Sequence, residues 1–368
     1  MLVTSVSLRD FRNYERAETP IGDSLTVICG DNGSGKTNLI EGIYFGLTGR
    51  SCRTRNEREM VRHGATLTRS TVSARDGDGA HVFEVGFEPG EPKKTLVDGA
   101  TPDASTATVR RPLVSVFVPE RLELIKGAPS LRRAHVDQLV TALWPARTET
   151  RAAYNRALAQ RNALIARIRQ GSGSPGLLDP WDATLAAQGV ALMADRHSAI
   201  DAISTAFQTR GVDLGLPEEA RLRYRPRSRA EDADGLRAEL EERRASDLQR
   251  GFTAHGPHRD EFVLEHGGRA LRAYGSQGQQ RAGVLALLLA ERDALADAGR
   301  APLMLLDDVM SELDAHRRER LAVAIAAGGQ AIVTATEAEH VPAASFPGVT
   351  VLDVGAGAVK VRSRLEAA

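Results

Sequence analysis

Gly30-Asp31-Asn32-Gly33-Ser34-Gly35-Lys36-Thr37 is a glycine, four variable residues, then Gly-Lys-Thr. Ahead of it, Leu25-Thr26-Val27-Ile28-Cys29 is a short β-branched apolar run that reads as a buried strand. Behind it, Asn38-Leu39-Ile40-Glu41-Gly42-Ile43-Tyr44-Phe45 spaces its apolar residues as a helix does. Strand, glycine-rich loop and helix together are the setting of a phosphate-binding loop. The glycines let backbone N–H groups converge on phosphate oxygens, and the helix N-terminus adds a favourable dipole. In such a loop Lys36 reaches the β- and γ-phosphates of ATP and the Thr37 hydroxyl ligates Mg²⁺. The competing reading is an ordinary glycine turn between a strand and a helix.

A second motif far downstream decides between them. Ala301-Pro302-Leu303-Met304-Leu305-Leu306 is an apolar strand ending in Asp307-Asp308. An acidic pair there is what a Mg²⁺–nucleotide site requires opposite its phosphate loop. Many strands end in aspartate, so the pair carries weight only in combination with the loop. Because the two motifs sit at opposite ends of the chain, one α/β core is expected from residues 1–122 and 252–368. Residues 123–251 are then an insertion.

That insertion reads as helical. Arg151 to Ile168 and Trp181 to Gln208 have apolar residues at three- and four-residue spacing, broken by Gly171-Ser172-Gly173-Ser174-Pro175-Gly176. Two helices of ~30 residues make an antiparallel arm of ~45 Å. Arg221, Arg223, Arg225, Arg227 and Arg229 alternate around Tyr224. On a strand they share one face, as a phosphate track or as an edge strand guarded by charge. In the head, Leu2 to Leu8 alternates as a first strand, and Thr71 to Val97 carries hairpin signals that imply an antiparallel sheet beside the nucleotide core. Arg12 lies against a bound phosphate or is solvated; Tyr14 lies against a base or in the core. Arg50, Arg53 and Arg55 form a DNA-phosphate patch or a solvated connector.

Across 368 residues Lys+Arg and Asp+Glu are both 48, so no global field draws the chain to nucleic acid or membrane, and any DNA contact must come from local patches. Cys29 and Cys52 form no CxxC pair, which suggests a reducing cytosol. Arg9, Asp10 and Arg12 stand where a signal peptide needs an apolar stretch, and no apolar run approaches the ~20 residues of a bilayer span. A cytoplasmic protein with no membrane partner is expected.

Two further stretches carry a resemblance. Ser276-Gln277-Gly278-Gln279-Gln280 resembles the signature motif of ABC-type ATPases, and Ser311-Glu312-Leu313-Asp314 resembles their D-loop. With Phe11-Arg12-Asn13-Tyr14, Gly30 to Asn38, Gly49 to Arg55, Pro119-Glu120-Arg121-Leu122, Lys126-Gly127-Ala128-Pro129, Arg132-Arg133, Gly256-Pro257-His258-Arg259-Asp260 and Leu306 to Asp314, the chain is similar over essentially its whole length to the RecF family of bacterial recombination-mediator ATPases. The resemblance implies an ABC-type, SMC-like P-loop head with a short helical arm that lacks the long coiled coil. It implies an ATP-dependent homodimer on single-stranded DNA, gapped duplex and duplex–single-strand junctions. It also implies work with RecR and RecO to load RecA in repair, replication restart and the SOS response.

By the same resemblance, Gly30 to Asn38 and Arg12 hold ATP, and Thr37 and Asp307 hold Mg²⁺. Ser276, Gln277, Gly278 and Gln279 meet the nucleotide of the partner copy, with Ser311 and Asp314 beside it. Glu120 matches the linker loop. Asp308 stands where most ABC ATPases carry the glutamate that polarises the attacking water, and with Lys36 it forms the catalytic pair. Aspartate is one methylene shorter, so slow, DNA-stimulated hydrolysis is expected, as suits a switch. Ile332-Val333-Thr334-Ala335-Thr336-Glu337 offers threonines where a switch histidine is usual, which leaves the γ-phosphate sensor unassigned. The rival functions are the ATPase subunit of an ABC transporter and a non-hydrolysing SMC-like DNA clamp.

Overall fold

The computed structural model describes residues 1–102, 111–216, 219–311, 313–346 and 348–364. The alternating first segment forms β1 (Leu2–Phe11), which turns through Arg12 and Asn13 into β2 (Tyr14–Pro20). Then come β3 (Leu25–Cys29), α1 (Lys36–Thr48), β4 (Thr68–Asp76), β5 (Gly79–Phe87), β6 (Lys94–Val97) and β7 (Val114–Phe117). Single-turn helices aside, α2 (Pro129–Leu143), α3 (Thr148–Arg169) and α4 (Asp179–Asp213) follow, then β8 (Ala220–Arg225), α5 (Ala233–Glu242) and α6 (Arg244–Arg250). The chain closes with β9 (Glu261–His266), β10 (Arg269–Ala270), α7 (Gln277–Asp297), β11 (Leu303–Leu306), α8 (Ala315–Ala326), β12 (Ala331–Ala335), β13 (Thr350–Gly355) and β14 (Ala358–Arg364).

Two compact units result. The first comprises Met1–Arg121, Asp213–Gly215 and Leu295–Ala368. It contains the antiparallel sheet β2-β1-β4-β5-β6 and the sheet β14-β13-β3-β12-β11-β7, parallel except for β14. Strands β3, β11, β12 and β13 are almost wholly buried, which explains their continuous apolar runs. Helix α1 lies close on the antiparallel sheet because Gly42 and Gly46, one turn apart, have no side chain. A Cβ at Gly42 would come 2.6 Å from Leu8 Cδ2, and one at Gly46 would come 2.6 Å from Val72 Cγ2. The Ser70 hydroxyl seals the contact by donating to Gly42 O at 2.7 Å.

The second unit comprises Leu122–Val212 and Leu216–Ala294. This corrects the expected boundaries, because residues 252–294 pack with the inserted helices rather than with the head. Strand β9 pairs along its length with β8, from Ala220↔His266 to Arg225↔Glu261. The preceding loop is tied to α3: Arg161 Nη1 donates to Thr253 Oγ1 at 2.7 Å, and Tyr154 Oη lies 2.7 Å from His258 Nδ1. The two long helices have 22 and 35 residues. They run antiparallel, joined by Arg161–Asp182 near the turn and Arg147–Asp195 further along. They are not a free arm: Tyr154, Ala157, Leu185 and Leu192 share one buried cluster with Leu236 and Leu240 of α5.

The arginine run is also resolved. Strand β8 is an edge of the sheet β10-β9-β8 and ends at Arg225, so Arg227 and Arg229 lie beyond it. Buried Glu265 binds Arg223 at 2.8 Å and Arg225 at 2.6 Å, and Arg221 pairs with Glu219 at 2.5 Å. This is the charge-guarded edge, with its guanidinium groups already engaged.

Candidate nucleotide site

The loop is built where only glycine fits. Gly30 has φ 149°, and a Cβ there would come 2.2 Å from Val354 O. Its amide donates to Thr336 O at 3.2 Å. Gly35 has φ 118°, and a Cβ would meet Asn13 Nδ2 at 2.6 Å and Tyr14 Oη at 2.9 Å. Those neighbours belong to the β1–β2 turn, which braces the loop from outside. Asn13 Nδ2 donates to Ser34 O at 3.1 Å, and Tyr14 Oη donates to Gly35 O at 2.9 Å. Tyr14 is fully buried, so of the two alternatives it is the core tyrosine. Lys36 Nζ donates to Gly30 O at 2.6 Å and Asp31 O at 2.9 Å, which holds the ammonium over the loop. Helix α1 begins at Lys36 with no acidic residue in its first turn and no side-chain cap, so its N–H groups are left to an anion.

Strand β12 runs parallel between β3 and β11, so the loop and the acidic pair emerge at the same carboxyl edge. There Thr37 Oγ1 donates to Asp307 Oδ2 at 2.8 Å, joining residues 270 positions apart. Thr334, at the end of β12, donates to Asp307 Oδ1 at 2.7 Å and accepts from Asp308 N at 2.9 Å. Asp307 is only 4% exposed. Burial raises its pKa above the ordinary carboxylate range, and the two hydroxyl donors oppose that rise. A hydroxyl and a carboxylate beside a phosphate loop suit Mg²⁺, which takes one or two protein oxygens and completes its shell with phosphates and water. Among the described residues no cluster of three or more His, Cys, Asp or Glu could form an all-protein cage. Asp308, by contrast, is exposed and adopts φ 51°, and its carboxylate accepts from Ser311 Oγ at 2.9 Å. The pair is thus divided into one buried carboxylate and one open to water.

Behind the loop stands a buried charge that the sequence reading passed over. Glu41, fully buried on α1, takes Arg12 through both oxygens at 2.8 and 2.9 Å, Ser51 Oγ at 2.5 Å and Arg53 at 3.5 Å. Arg12 is therefore not a freely solvated arginine; through Nε and Nη2 its guanidinium fixes the first turns of α1. Arg53 also donates to Asn38 Oδ1 at 3.0 Å, and Asn38 donates to Asn13 Oδ1 at 2.7 Å. Of the three candidate DNA arginines, Arg53 is thus tied to the loop, whereas Arg50 and Arg55 are exposed and form no ion pair among the described residues. A carboxylate four residues after Thr37, on an otherwise apolar helix, was the available signal for Glu41.

An AAA domain family model matches residues 5–140. The chain is 36% identical to the DNA replication and repair protein RecF of Streptomyces avermitilis, covering 93% of this chain and 95% of the relative. It is 37% identical to the protein of the same name from an Anaeromyxobacter species, covering 98% and 99%. The chain belongs to the RecF family. The solved structure of the recombination mediator protein RecF with ATP, in the RecFOR pathway, superposes with a TM-score of 0.84 at 26% identity over 98% of both chains. An Smc head bound to the C-winged helix domain of ScpA superposes with a TM-score of 0.61 at 17% identity, a likeness of fold. The architecture is the SMC-like P-loop ATPase head.

The remaining expected RecF-family motifs lie as follows. Helix α7 starts at Gln277 because Ser276 and Gln279 cap it reciprocally. Gln279 N donates to Ser276 Oγ at 3.2 Å, and Ser276 N donates to Gln279 Oε1 at 2.8 Å. A Cβ on Gly278 would meet nothing within 4 Å, so internal packing does not require that glycine. Asp314 caps α8 by accepting from Arg317 N at 2.9 Å; Glu312 lies outside the described residues. Glu120 is exposed in a single helical turn at 119–122. Gly256-Pro257-His258-Arg259-Asp260 is an interior knot of the second unit. Asp260 binds Arg196 at 3.2 Å and the Arg227 amide at 2.7 Å, and burial pushes His258 down to about 4. Among the described residues no helix is long and apolar enough to cross a membrane.

Proposed function

We propose that this chain is a cytoplasmic ATP-binding, ATP-hydrolysing switch of recombinational DNA repair that dimerises on DNA when ATP is bound. The observation that carries the reading is the 2.8 Å bond between Thr37 and Asp307, which assembles one nucleotide site from both ends of the chain. In this reading the N–H groups of residues 30–38 take the phosphates, and Lys36 moves from its loop carbonyls to the β- and γ-phosphates. Thr37 and Asp307 hold Mg²⁺, which when bound neutralises charge developing on the phosphates. Asp308, held by Ser311, orients the attacking water and accepts its proton. The shorter side chain leaves that water less well held, which makes turnover slow. Thr334 positions Asp307 and the Asp308 backbone rather than touching nucleotide.

Ser276, Gln277, Gly278 and Gln279 act in trans on the γ-phosphate held by a second copy, flanked by its Ser311 and Asp314. The packing-free Gly278 at a capped helix N-terminus supports this, since it leaves the backbone open to close approach. Family membership supports the DNA partners, single-stranded or gapped duplex, and the work with RecO and RecR in loading RecA. The test is sedimentation with ADP, with ATP, and with ATP plus gapped DNA, for wild type and Ser276→Arg. ATP should convert monomer to dimer in wild type only. A wild type that stays monomeric with ATP and gapped DNA would sink the model.

A further inference from the structure

The antiparallel sheet of the first unit carries cations in register. Arg16 on β2 pairs with Arg9 on β1, Arg9 with Arg69 on β4, Arg69 with Gly86 on β5, and Gly86 with Lys94 on β6. The row Arg16–Arg9–Arg69–Gly86–Lys94 thus crosses all five strands on the exposed face, while Leu8 and Val85 beside it face the core. Like charges directly opposite one another on a sheet are destabilising, so three adjacent arginines need an explanation. Edge protection explains Arg16 and Lys94 only, because β1 and β4 are interior strands. Ion pairing does not explain the rest. Among the described residues Arg9, Arg69 and Lys94 form no ion pair, and Arg16 reaches Glu18 only at 3.9 Å with both side chains largely exposed. Arg62 stands beside the row, fixed by Asp10 at 2.7 Å. Arg9, Arg16, Arg62 and Arg69 line a concavity of about 460 Å³, with Asp10 and Glu15 as its acidic residues, so that cations outnumber carboxylates four to two.

We infer that this row is a binding site for the phosphate backbone of a nucleic acid. The partner is set by charge and by shape. Strands ~4.8 Å apart give a row of about 19 Å. That is the length of five or six phosphate-to-phosphate steps of one strand at ~3.4 Å rise. The gap at Gly86 is open, since a Cβ there would meet nothing within 4 Å, so a backbone can lie across it. The inference deepens the proposed function by naming a surface for its DNA partner and rests on that reading. The same two strands end in the turn whose Asn13 and Tyr14 brace the phosphate-binding loop. The row and the nucleotide loop are thereby joined by one hairpin.

The experiment is fluorescence anisotropy of labelled single-stranded and gapped DNA from 50 to 200 mM salt, with wild type, Arg9→Gln/Arg69→Gln and Arg9→Lys/Arg69→Lys. Both sites are exposed, and ATP binding and Tm are measured alongside. Each lost phosphate contact removes about 0.7–0.9 from the slope of log K against log salt. The Gln pair should therefore lower the slope by about 1.4–1.8 and lose roughly tenfold less affinity than wild type across that salt range. The Lys pair should keep the wild-type slope. A Gln pair with wild-type affinity and slope overturns the row while leaving the proposed function intact. Unchanged DNA binding with lost binding to an acidic protein overturns it in favour of such a partner. A wild type that binds no DNA refutes the proposed function itself.

Discussion

Thr334→Val tests whether the acidic pair is held as the structure indicates. Thr334 is 1% exposed, and valine nearly reproduces its shape, so the substitution removes hydrogen bonds without opening a cavity. Two bonds disappear: the one to Asp307 Oδ1 at 2.7 Å and the one from Asp308 N at 2.9 Å. A hydrogen bond to a charged group contributes about 1.5–3 kcal/mol and a neutral one about 1 kcal/mol. Because Asp308 is exposed, water recovers part of the second, so the expected loss at pH 7.5 is about 2–3 kcal/mol by urea unfolding. The pH dependence has a definite sign. The Thr334 hydroxyl favours the ionised carboxylate, so removing it raises the Asp307 pKa beyond its already raised value. The variant's deficit therefore grows as pH rises through the folded-state pKa and shrinks towards about 1 kcal/mol once Asp307 is protonated. Thr334→Ser should restore most of the stability. In an Asp307→Asn background the penalty of Thr334→Val should fall by about 1–2 kcal/mol, the coupling expected of groups in contact. An equal penalty in both backgrounds, or a loss below about 0.5 kcal/mol, would refute the claim that Thr334 acts through Asp307.

Two further outcomes follow from the packing. Gly35→Ala forces a Cβ to 2.6 Å from Asn13 at φ 118°, so nucleotide binding by calorimetry should be lost, with about 1–3 kcal/mol of stability; wild-type ATP affinity would contradict the braced loop. Arg161 is fully buried between Asp182 at 2.5 Å and Asp247 at 2.7 Å. Arg161→Ala leaves buried Asp247 without its cation, while Asp182 keeps Arg244 at 2.6 Å, and should cost about 3–5 kcal/mol in urea unfolding; a loss under 1 kcal/mol would mean that the helical unit does not depend on that ion pair.

Local patterns were legible wherever chemistry and geometry are set by neighbours in the chain. The loop Gly30–Thr37, the strand ending in Asp307-Asp308, the hairpins from Thr71 to Val97 and the two long helices could all be read from periodicity and glycine placement, because each answers to its own backbone requirements. Which surfaces those elements bury against could not. Residues 252–294 read as head because they follow the insertion, yet the pairing of β9 with β8 and the bonds of Thr253 and His258 to α3 put them with the helices. The arginines at 221–229 alternate as a free phosphate track would, but buried Glu265, on a different strand, claims two of them. Conversely Arg9, Arg16, Arg69 and Lys94 are unremarkable in sequence and become a row only through strand register. Sequence spacing fixes the period of one element; contacts between elements depend on register and burial, which no single stretch encodes. The nucleotide loop was therefore determined by the sequence itself, while the brace of Asn13 and Tyr14, the grip of Thr334 on Asp307 and the cationic row were decided only by the tertiary structure.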